Sequence, residues 1–228
     1  GSGVFGILMA KHYHAHVLAL DKNSRAIELA QKNAEKNHVV LAFQEGEYGV
    51  HSAEPLSAKI IGLYPPYHIY PEHLGMHIPQ HARGGSDGQQ EFKNQLCIAG
   101  IHLAKDGVIF FNQMCLGDEN GPHFVRYIPR LLAGTSLDSN RKISLLYTNV
   151  LDPISTRVFL EGVYENKYAS FVDWVALESP RLFYTAGIIR KDELGEIKCV
   201  QHTLDLGGRN WQDRIQLHAE IARHIYST

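Results

Sequence analysis

Residues 1–21, GSGVFGILMAKHYHAHVLALD, contain the features that decide the fold. Three glycines form a G-x-G-x-x-G pattern: Gly1, Gly3 and Gly6. This pattern typically opens a helix that follows a strand. Residues 4–13 predict that helix, and residues 17–20 predict a short apolar strand that ends at Asp21. A glycine turn, a helix and a strand with a final carboxylate indicate the start of an alternating α/β chain.

The rest of the chain continues the alternation of strand and helix. Further strands are predicted at residues 39–43, 59–63, 107–113, 142–150, 181–190 and 196–203. Helices are predicted at residues 25–37 (with Ser24 as the capping residue and Leu29 on the buried face), 89–103, 122–133, 154–178 and 210–226. Because a turn at 192–195 separates the last two strands, they favour an antiparallel hairpin. The sequence therefore predicts an α/β fold, with a mostly parallel sheet, helices on both faces and an antiparallel C-terminal edge hairpin.

The domain organisation predicted is a single domain over residues 1–228. Within it, residues 1–150 form a core, 151–180 a helical lid or insertion, and 181–228 the C-terminal hairpin and helix. The glycine turn should follow a buried first strand, and no strand precedes Gly1. We expect that strand to be supplied by residues upstream of Gly1 or to have been lost by truncation.

Composition and charge exclude several classes of protein. The chain has 228 residues, 44% of them hydrophobic, and a formal net charge of −2, so it lacks a basic field for gripping nucleic-acid phosphates. The three cysteines are far apart and predict reduced thiols: Cys97, Cys115 and Cys199. No apolar run has membrane-spanning length and no signal peptide is recognisable. A soluble, cytoplasmic protein without nucleic-acid or membrane partners is expected.

The glycine turn and Asp21 together suggest a nucleotide-type ligand. Glycines let a ligand approach the backbone closely, and the helix N-terminus offers unpaired N–H groups. A carboxylate at the end of the next strand can accept hydrogen bonds from both hydroxyls of a ribose. Nicotinamide or flavin dinucleotides and S-adenosylmethionine (SAM) are the two ligand classes that fit, and a purely structural turn is the alternative to both.

Three further stretches separate these ligands: DKNSRAIELAQKNAEKN at residues 21–37, IIGLYPPYHIYP at 60–71 and HARGGSDGQQEF at 81–92. With the glycine turn, they resemble the motifs of class I SAM-dependent methyltransferases. The Pro-Pro-Tyr motif followed by Gly-Gly-x-Asp-Gly is most similar to the protein-(glutamine-N) methyltransferases that modify peptide release factors. The resemblance covers about residues 1–113 and implies a Rossmann-like fold and SAM as the cofactor.

The resemblance also implies the cofactor-binding residues: Gly1, Gly3, Asp21, Lys22, Glu45 and Glu47. The glycines and Asp21 would hold the methionine and ribose parts, and Glu45 or Glu47 would lie near the adenine. A solvated acidic loop is the structural alternative for the two glutamates. A chain that lacks the first strand is expected to bind SAM poorly.

The catalytic residues implied are Tyr64, Pro65, Tyr67 and His68. In the resembled family, an Asn side-chain carbonyl and the first Pro carbonyl accept hydrogen bonds from the reacting amide, and the Tyr packs on it. Tyr64 replaces that Asn, and a phenol offers a hydroxyl on a bulky ring in place of an amide carbonyl. It can accept a hydrogen bond, deprotonate a hydroxyl or exclude a glutamine amide. A rigid turn with two stacking rings is the structural alternative.

The histidines invite two further interpretations. His68 or His73 can serve as a general base, since a neutral imidazole accepts a proton near neutral pH. His73, His77 and His81 would share a face if residues 73–81 were helical, but Pro79 disfavours that helix. The alternating His12, His14 and His16 are interpreted as a solvated loop. No metal site is therefore expected.

The function predicted is SAM-dependent methyl transfer to a nitrogen or oxygen nucleophile held at residues 64–67, with a protein side-chain amide as one acceptor. A small-molecule methyltransferase and an inactive methyltransferase-like binding module are the alternatives. The aromatic residues of 154–178 are open to three interpretations: a lid over the substrate, a homodimer face, or ordinary packing over the sheet.

Overall fold

A computed structural model describes residues 1–46, 56–71, 79–133, 142–164, 166–200 and 212–213. The chain divides into two compact units, Gly1–Leu56 and Ser57–Thr228. Glu47 and the predicted helix over 210–226, apart from residues 212–213, lie outside the described residues. The internal boundaries predicted for a single domain stay a prediction.

The first unit alternates helix and strand as the sequence predicts. Its elements are α1 (Val4–Tyr13), β1 (Leu18–Asp21), α2 (Ser24–Lys36) and β2 (Ala42–Glu45). The two strands are parallel, with Leu18 opposite Ala42 and Asp21 opposite Glu45. The buried core consists of Ile7, Ala34 and Leu41.

Three local predictions for the first unit are wrong. The cap of α2 is Asn23, whose side-chain oxygen accepts the Arg25 N–H at 3.0 Å, in place of Ser24. Leu29 is 48% exposed and lies off the buried face of α2. The second strand starts at residue 42, because the Val39 N–H still bonds the Ala34 carbonyl at the end of the helix.

The second unit contains β3 (Ala58–Leu63), β4 (Leu103–Asp118), β5 (Gly121–Pro122), β6 (Lys142–Ser155), β7 (Arg181–Asp192) and β8 (Ile197–Cys199). Among the described residues these strands form a six-stranded sheet of order β3-β4-β7-β6-β8, with β5 paired to β4. The β3–β4 and β6–β8 pairs are parallel. The β4–β7, β6–β7 and β4–β5 pairs are antiparallel.

Helices cover both faces of this sheet: α3 (Gln90–His102), α4 (Phe124–Ala133), α5 (Thr156–Val163) and α6 (Ala169–Glu178). On one face, the centroid of the Phe111 ring of β4 lies 5.3 Å from the ring centroid of Phe92 in α3 and 5.4 Å from that of Phe124 in α4. On the other face, Met114 of β4 belongs to a core cluster with Phe159 of α5 and Phe171 of α6. The α/β fold class, with helices on both faces, is therefore confirmed.

The predicted C-terminal hairpin is wrong in its pairing. β8 lies beside β6 and runs parallel to it, with Leu145 opposite Ile197. Both edges of β7 are already occupied, one by β4 and the other by β6, so no edge remains for β8. The chain instead crosses the start of β6, where the Ser144 hydroxyl accepts the Glu196 N–H at 2.9 Å.

The aromatic segment over 154–178 forms α5 and α6, joined by a short 3-10 turn at Asn166–Tyr168. Phe171, Val172 and Val175 are buried, whereas Trp174 is 56% exposed. One side of α6 therefore packs on the sheet, and the lid and homodimer interpretations stay predictions. Among the helices that the structure describes, none is long and apolar enough to cross a membrane.

Candidate functional site

The glycine turn is built as the sequence predicts. Gly3 caps α1 with φ 77°, a left-handed conformation that favours glycine. A Cβ atom there would lie 2.9 Å from the Ala30 Cβ, so this glycine also lets α1 approach α2. At Gly1, by contrast, a Cβ would meet nothing within 4 Å.

Asp21 lies at the carboxyl end of β1, next to this turn. Its Oδ2 pairs with the terminal ammonium of Gly1, and its Oδ1 accepts the Asn23 N–H at 2.9 Å. The side chain is 24% exposed. Lys22 follows in an exposed position. The strand register places the exposed Glu45 directly opposite Asp21. Gly1, Asp21 and Glu45 thus come together at one edge of the first unit, and we call them the glycine-turn cluster.

The Tyr-Pro-Pro-Tyr segment follows β3 in the second unit. Tyr64 is 66% exposed, whereas Pro65 is buried and Tyr67 half-buried. The Tyr67 and His68 rings meet edge to face, with centroids 5.4 Å apart. The four predicted catalytic residues therefore lie on one short segment after β3, and Tyr64 is the most exposed of them.

Residues 82–88 hold this segment in place. The His68 N–H donates to the Ala82 carbonyl at 3.0 Å, and the Gly84 N–H donates back to the His68 carbonyl at 2.7 Å. The Tyr70 N–H donates to the Gly85 carbonyl at 2.7 Å. Tyr164 directly follows α5, and its hydroxyl donates to the Ile69 carbonyl at 2.6 Å. These bonds fix the backbone on which Tyr67 and His68 stand.

Two glycines of the Gly-Gly-Ser-Asp-Gly stretch make the close approach possible. A Cβ at Gly84 would lie 2.8 Å from backbone atoms of Tyr67. A Cβ at Gly88, where φ is +70°, would lie 2.6 Å from the Tyr67 carbonyl oxygen. The stretch therefore shapes the loop around Tyr67, as its composition predicts.

Asp87 anchors the same loop to the start of α3. Its Oδ1 accepts the Gln89 N–H at 2.9 Å, and its Oδ2 pairs with Lys93 Nζ at 2.5 Å. Gln89 is itself buried and accepts the Tyr127 hydroxyl at 2.7 Å. Burial, the largest cause, raises the pKa of Tyr127 well above its ordinary value, so this phenol stays protonated.

A pocket opens beside Tyr67 and His68, and we call it the Tyr67 pocket. The space between its lining atoms, with the open solvent at its mouth, is about 340 Å³. Its other lining side chains are mainly apolar and include Met114, Leu116, Phe159 and Leu160. Asp87 is also among the lining residues, and its carboxylate oxygens are engaged by the Gln89 N–H and Lys93. An acceptor with an apolar body suits such a lining.

A polar cluster at the carboxyl end of β4 was not predicted from the sequence. Asp118 Oδ2 lies 2.5 Å from an Arg126 nitrogen and 3.9 Å from His123 Nε2. The hydrogen bond from Arg126, the largest cause, holds the pKa of Asp118 below its ordinary value. The signal was present in the sequence, because Asp118 and His123 flank a Gly-Pro pair that follows an apolar strand.

Two buried amide oxygens near the Tyr-Pro-Pro-Tyr segment were also missed. Asn112 Oδ1 and Gln113 Oε1 are buried and have no hydrogen-bond partner among the described residues. Since Leu63 pairs with Phe111, Asn112 is the next β4 residue beside the end of β3. A buried acceptor without a partner is costly, so a bound donor near Asn112 would be stabilised.

The histidine hypotheses are tested only in part. His12, His14 and His16 are exposed. His73 and His77 lie outside the described residues, as does the predicted adenine contact Glu47. Within the described ranges, no group of three or more His, Cys, Asp or Glu side chains is arranged to hold a metal ion.

Comparison with known proteins gives the following similarities. No protein-family model matches the chain. A predicted O-methyltransferase from Agrobacterium tumefaciens is 12% identical with a TM-score of 0.48, over 96% of this chain and 86% of that protein. A methyltransferase from Pyrococcus furiosus is 14% identical with a TM-score of 0.43, over 83% and 69%. Geranyl diphosphate C-methyltransferase from Streptomyces coelicolor is 7% identical with a TM-score of 0.43, over 85% and 68%.

Proposed function

We propose that this protein is a SAM-dependent methyltransferase that acts on a nitrogen or oxygen nucleophile held at Tyr64–Tyr67. The observation that carries the proposal is the glycine-turn cluster, in which Asp21 at the end of β1 lies against the turn that opens α1. The resemblance of residues 1–113 to class I methyltransferases selects SAM over a dinucleotide.

The residues of the first unit suit the parts of SAM. The N-terminus of α1 presents unpaired N–H groups and a positive dipole end, which suit the methionine carboxylate. Asp21 retains lone pairs for the ribose hydroxyls. Glu45 opposite Asp21, with Lys22 and Glu47 nearby in sequence, would complete the polar surroundings of the nucleoside.

Bound SAM supplies an electrophilic methyl group on a sulfonium, so the protein contributes mainly position and exclusion of water. Pro65 offers a carbonyl oxygen and Tyr64 a hydroxyl as acceptors for the hydrogens of the nucleophile. Tyr67 provides a ring face on which a planar group can stack. His68, edge-on to Tyr67, is the candidate general base that the sequence predicts.

The acceptor is either a protein side-chain amide or a small molecule. The motif order around Tyr67 and Asp87 favours the amide. The apolar lining of the Tyr67 pocket, with Met114 and Phe159, favours a small acceptor with an apolar body, which is why we keep that second candidate. An inactive binding module would retain a partner without turning over SAM.

The test begins with cofactor affinity. In isothermal titrations, Asp21→Ala should bind SAM more weakly than the wild-type protein, whereas the control Glu28→Ala should match the wild type, since Glu28 is exposed on α2. Removing a hydrogen-bonded carboxylate should weaken binding about 10-fold or more, equivalent to about 1.5–3 kcal/mol. Equal affinity in all three proteins would overturn the assignment of the glycine-turn cluster.

Transfer of a labelled methyl group then separates the acceptor classes. The panel contains a glutamine-containing peptide and small apolar amines, alcohols and acids. Labelled peptide supports the amide acceptor, and labelled small molecule supports the alternative. SAM binding without transfer to any acceptor would favour the inactive module and contradict the proposed activity.

A further inference from the structure

The Tyr67 pocket lies between the loop that carries Tyr67 and the inner side of α5. Its apolar lining comes from three elements of the second unit, β4, α5 and β7: Met114, Leu116, Phe159, Leu160, Val163 and Leu182. All of these side chains except Val163 belong to residues that are at most 5% exposed. The pocket is therefore a narrow apolar recess beside the segment at which the nucleophile is proposed to be held.

Three polar side chains of the lining are already engaged within the protein. The Tyr164 hydroxyl donates to the Ile69 carbonyl at 2.6 Å. The Cys115 sulfur lies 4.0 Å from the Thr185 hydroxyl oxygen, and burial raises the pKa of this thiol, so it stays uncharged. The third, Asp87, has the partners described above. A polar group that entered the recess would leave water without gaining a partner from these side chains, whereas an apolar group would be stabilised there.

We propose that the Tyr67 pocket is the subsite for an aliphatic or aromatic group of a small methyl acceptor, and that Phe159 and Val163 set the length of the group it takes. The inference rests on the methyltransferase function proposed above and names the substrate class of that site. The nucleophile would be held at Tyr64–Tyr67, and the apolar group would extend past Tyr67 toward α5.

The spacing of residues along α5 identifies the two that limit the length. Phe159 and Val163 are four residues apart, so their side chains lie on the same face of the helix, and both line the pocket. Val158, one residue before Phe159, is 56% exposed and lies outside the lining. A shorter side chain at residue 159 should lengthen the recess, and a longer one at residue 163 should shorten it.

The expected affinities follow from apolar burial. Each methylene group that moves from water into the recess should strengthen binding about 4-fold. The gain should stop at the chain length that fills the recess, because a longer chain must displace closely packed side chains. The affinity for a homologous series should therefore rise with each added carbon, reach a preferred length and then fall.

The test uses straight-chain primary alcohols and carboxamides, two series in which the members differ only in the number of methylene groups. Their affinities are measured by isothermal titration in the presence of S-adenosylhomocysteine, which cannot donate a methyl group. Phe159→Leu should move the preferred length up by about one methylene, and Val163→Leu should move it down by about one. The control Val158→Ala, on the outer side of the same helix, should leave it unchanged.

The opposite shifts separate a specificity role from a structural one. Phe159→Leu and Val163→Leu both change packing around the core of the second unit, so each is expected to lower the midpoint of urea unfolding. If these residues served the fold alone, both variants would bind every chain more weakly and keep the same preferred length. That result would overturn the subsite.

Methyl transfer to the same two series gives the functional comparison, and kcat/KM should depend on chain length as the affinity does. Affinities that are independent of chain length overturn the subsite and leave the methyltransferase function in place. Preferential transfer to a glutamine-containing peptide does the same. Length-dependent binding without methyl transfer to any acceptor overturns the proposed function and, with it, the role of the pocket as an acceptor subsite.

Discussion

Gly88→Ala should destabilise the second unit by displacing the loop on which Tyr67 stands. Gly88 has φ +70°, and an L-residue in that left-handed region costs about 1–2 kcal/mol. The added Cβ would also lie 2.6 Å from the Tyr67 carbonyl oxygen and 3.2 Å from Ile69 Cγ1. Relieving such overpacking costs about 1–3 kcal/mol. The expected loss in the free energy of unfolding is therefore about 2–5 kcal/mol.

Gly195→Ala is the matched control, because Gly195 has nearly the same φ, +67°. Its Cβ would meet the exposed Lys142 side chain at 2.7 Å, a group that can move, in place of a backbone carbonyl. We expect only the conformational cost of about 1–2 kcal/mol there. Urea unfolding followed by circular dichroism gives both values.

Methyl transfer adds a functional comparison of the same two variants. Gly88→Ala should reduce the rate, because Tyr67 shifts with its carbonyl, while Gly195→Ala should leave the rate unchanged. Equal stability losses in the two variants would refute the claim that the contact with Tyr67, and not the backbone conformation alone, makes glycine necessary at residue 88.

Three further predictions concern stability. Tyr164→Phe removes the donor to the Ile69 carbonyl, which lies 2.6 Å from the phenol oxygen, and should lower the free energy of unfolding by about 0.5–1.5 kcal/mol in urea titrations. Phe92→Ala empties a fully buried core position and should cost about 3–5 kcal/mol, seen as a large drop in melting temperature. The hydrogen bond from Ser144, the largest cause, lowers the pKa of Asp192 in the folded protein. The stabilisation from the Asp192 carboxylate is therefore present above about pH 4 and lost as pH falls further. Asp192→Asn should lose less stability than the wild type between about pH 5 and pH 3, measured by urea midpoints, and an unchanged pH dependence would contradict this prediction.

Several parts of the site follow from the sequence because they are local. Gly3 adopts a left-handed backbone conformation that residues with side chains rarely adopt. A glycine pattern directly before an apolar helix predicts such a turn. Asp21 and Glu45 each end a short apolar run, and carboxyl ends of adjacent parallel strands meet at one edge. The hydrophobic pattern and the spacing of these residues were therefore enough to predict that Asp21 and Glu45 lie at the same edge.

Strand ends and strand partners were harder to predict. β4 continues five residues past the predicted end at Gln113, to Asp118, because β7 pairs with it along its whole second half. The sheet buries the amide oxygens of Asn112 and Gln113, at the end of the predicted strand. The pairing partner of β8 likewise depended on which strands of the sheet had a free edge. The turn residues at 192–195 carry no information about that.

The sequence by itself determined the α/β class, the glycine turn, the carboxylate at residue 21 and the Tyr-Pro-Pro-Tyr loop, because each depends on residues close together along the chain. Only the tertiary structure decided that Asp87, Met114 and Phe159 line the same pocket as Tyr67. These residues come together because β4, the loop before α3 and α5 fold onto one sheet. Such long-range neighbours are set by burial and strand pairing, and no local pattern records them.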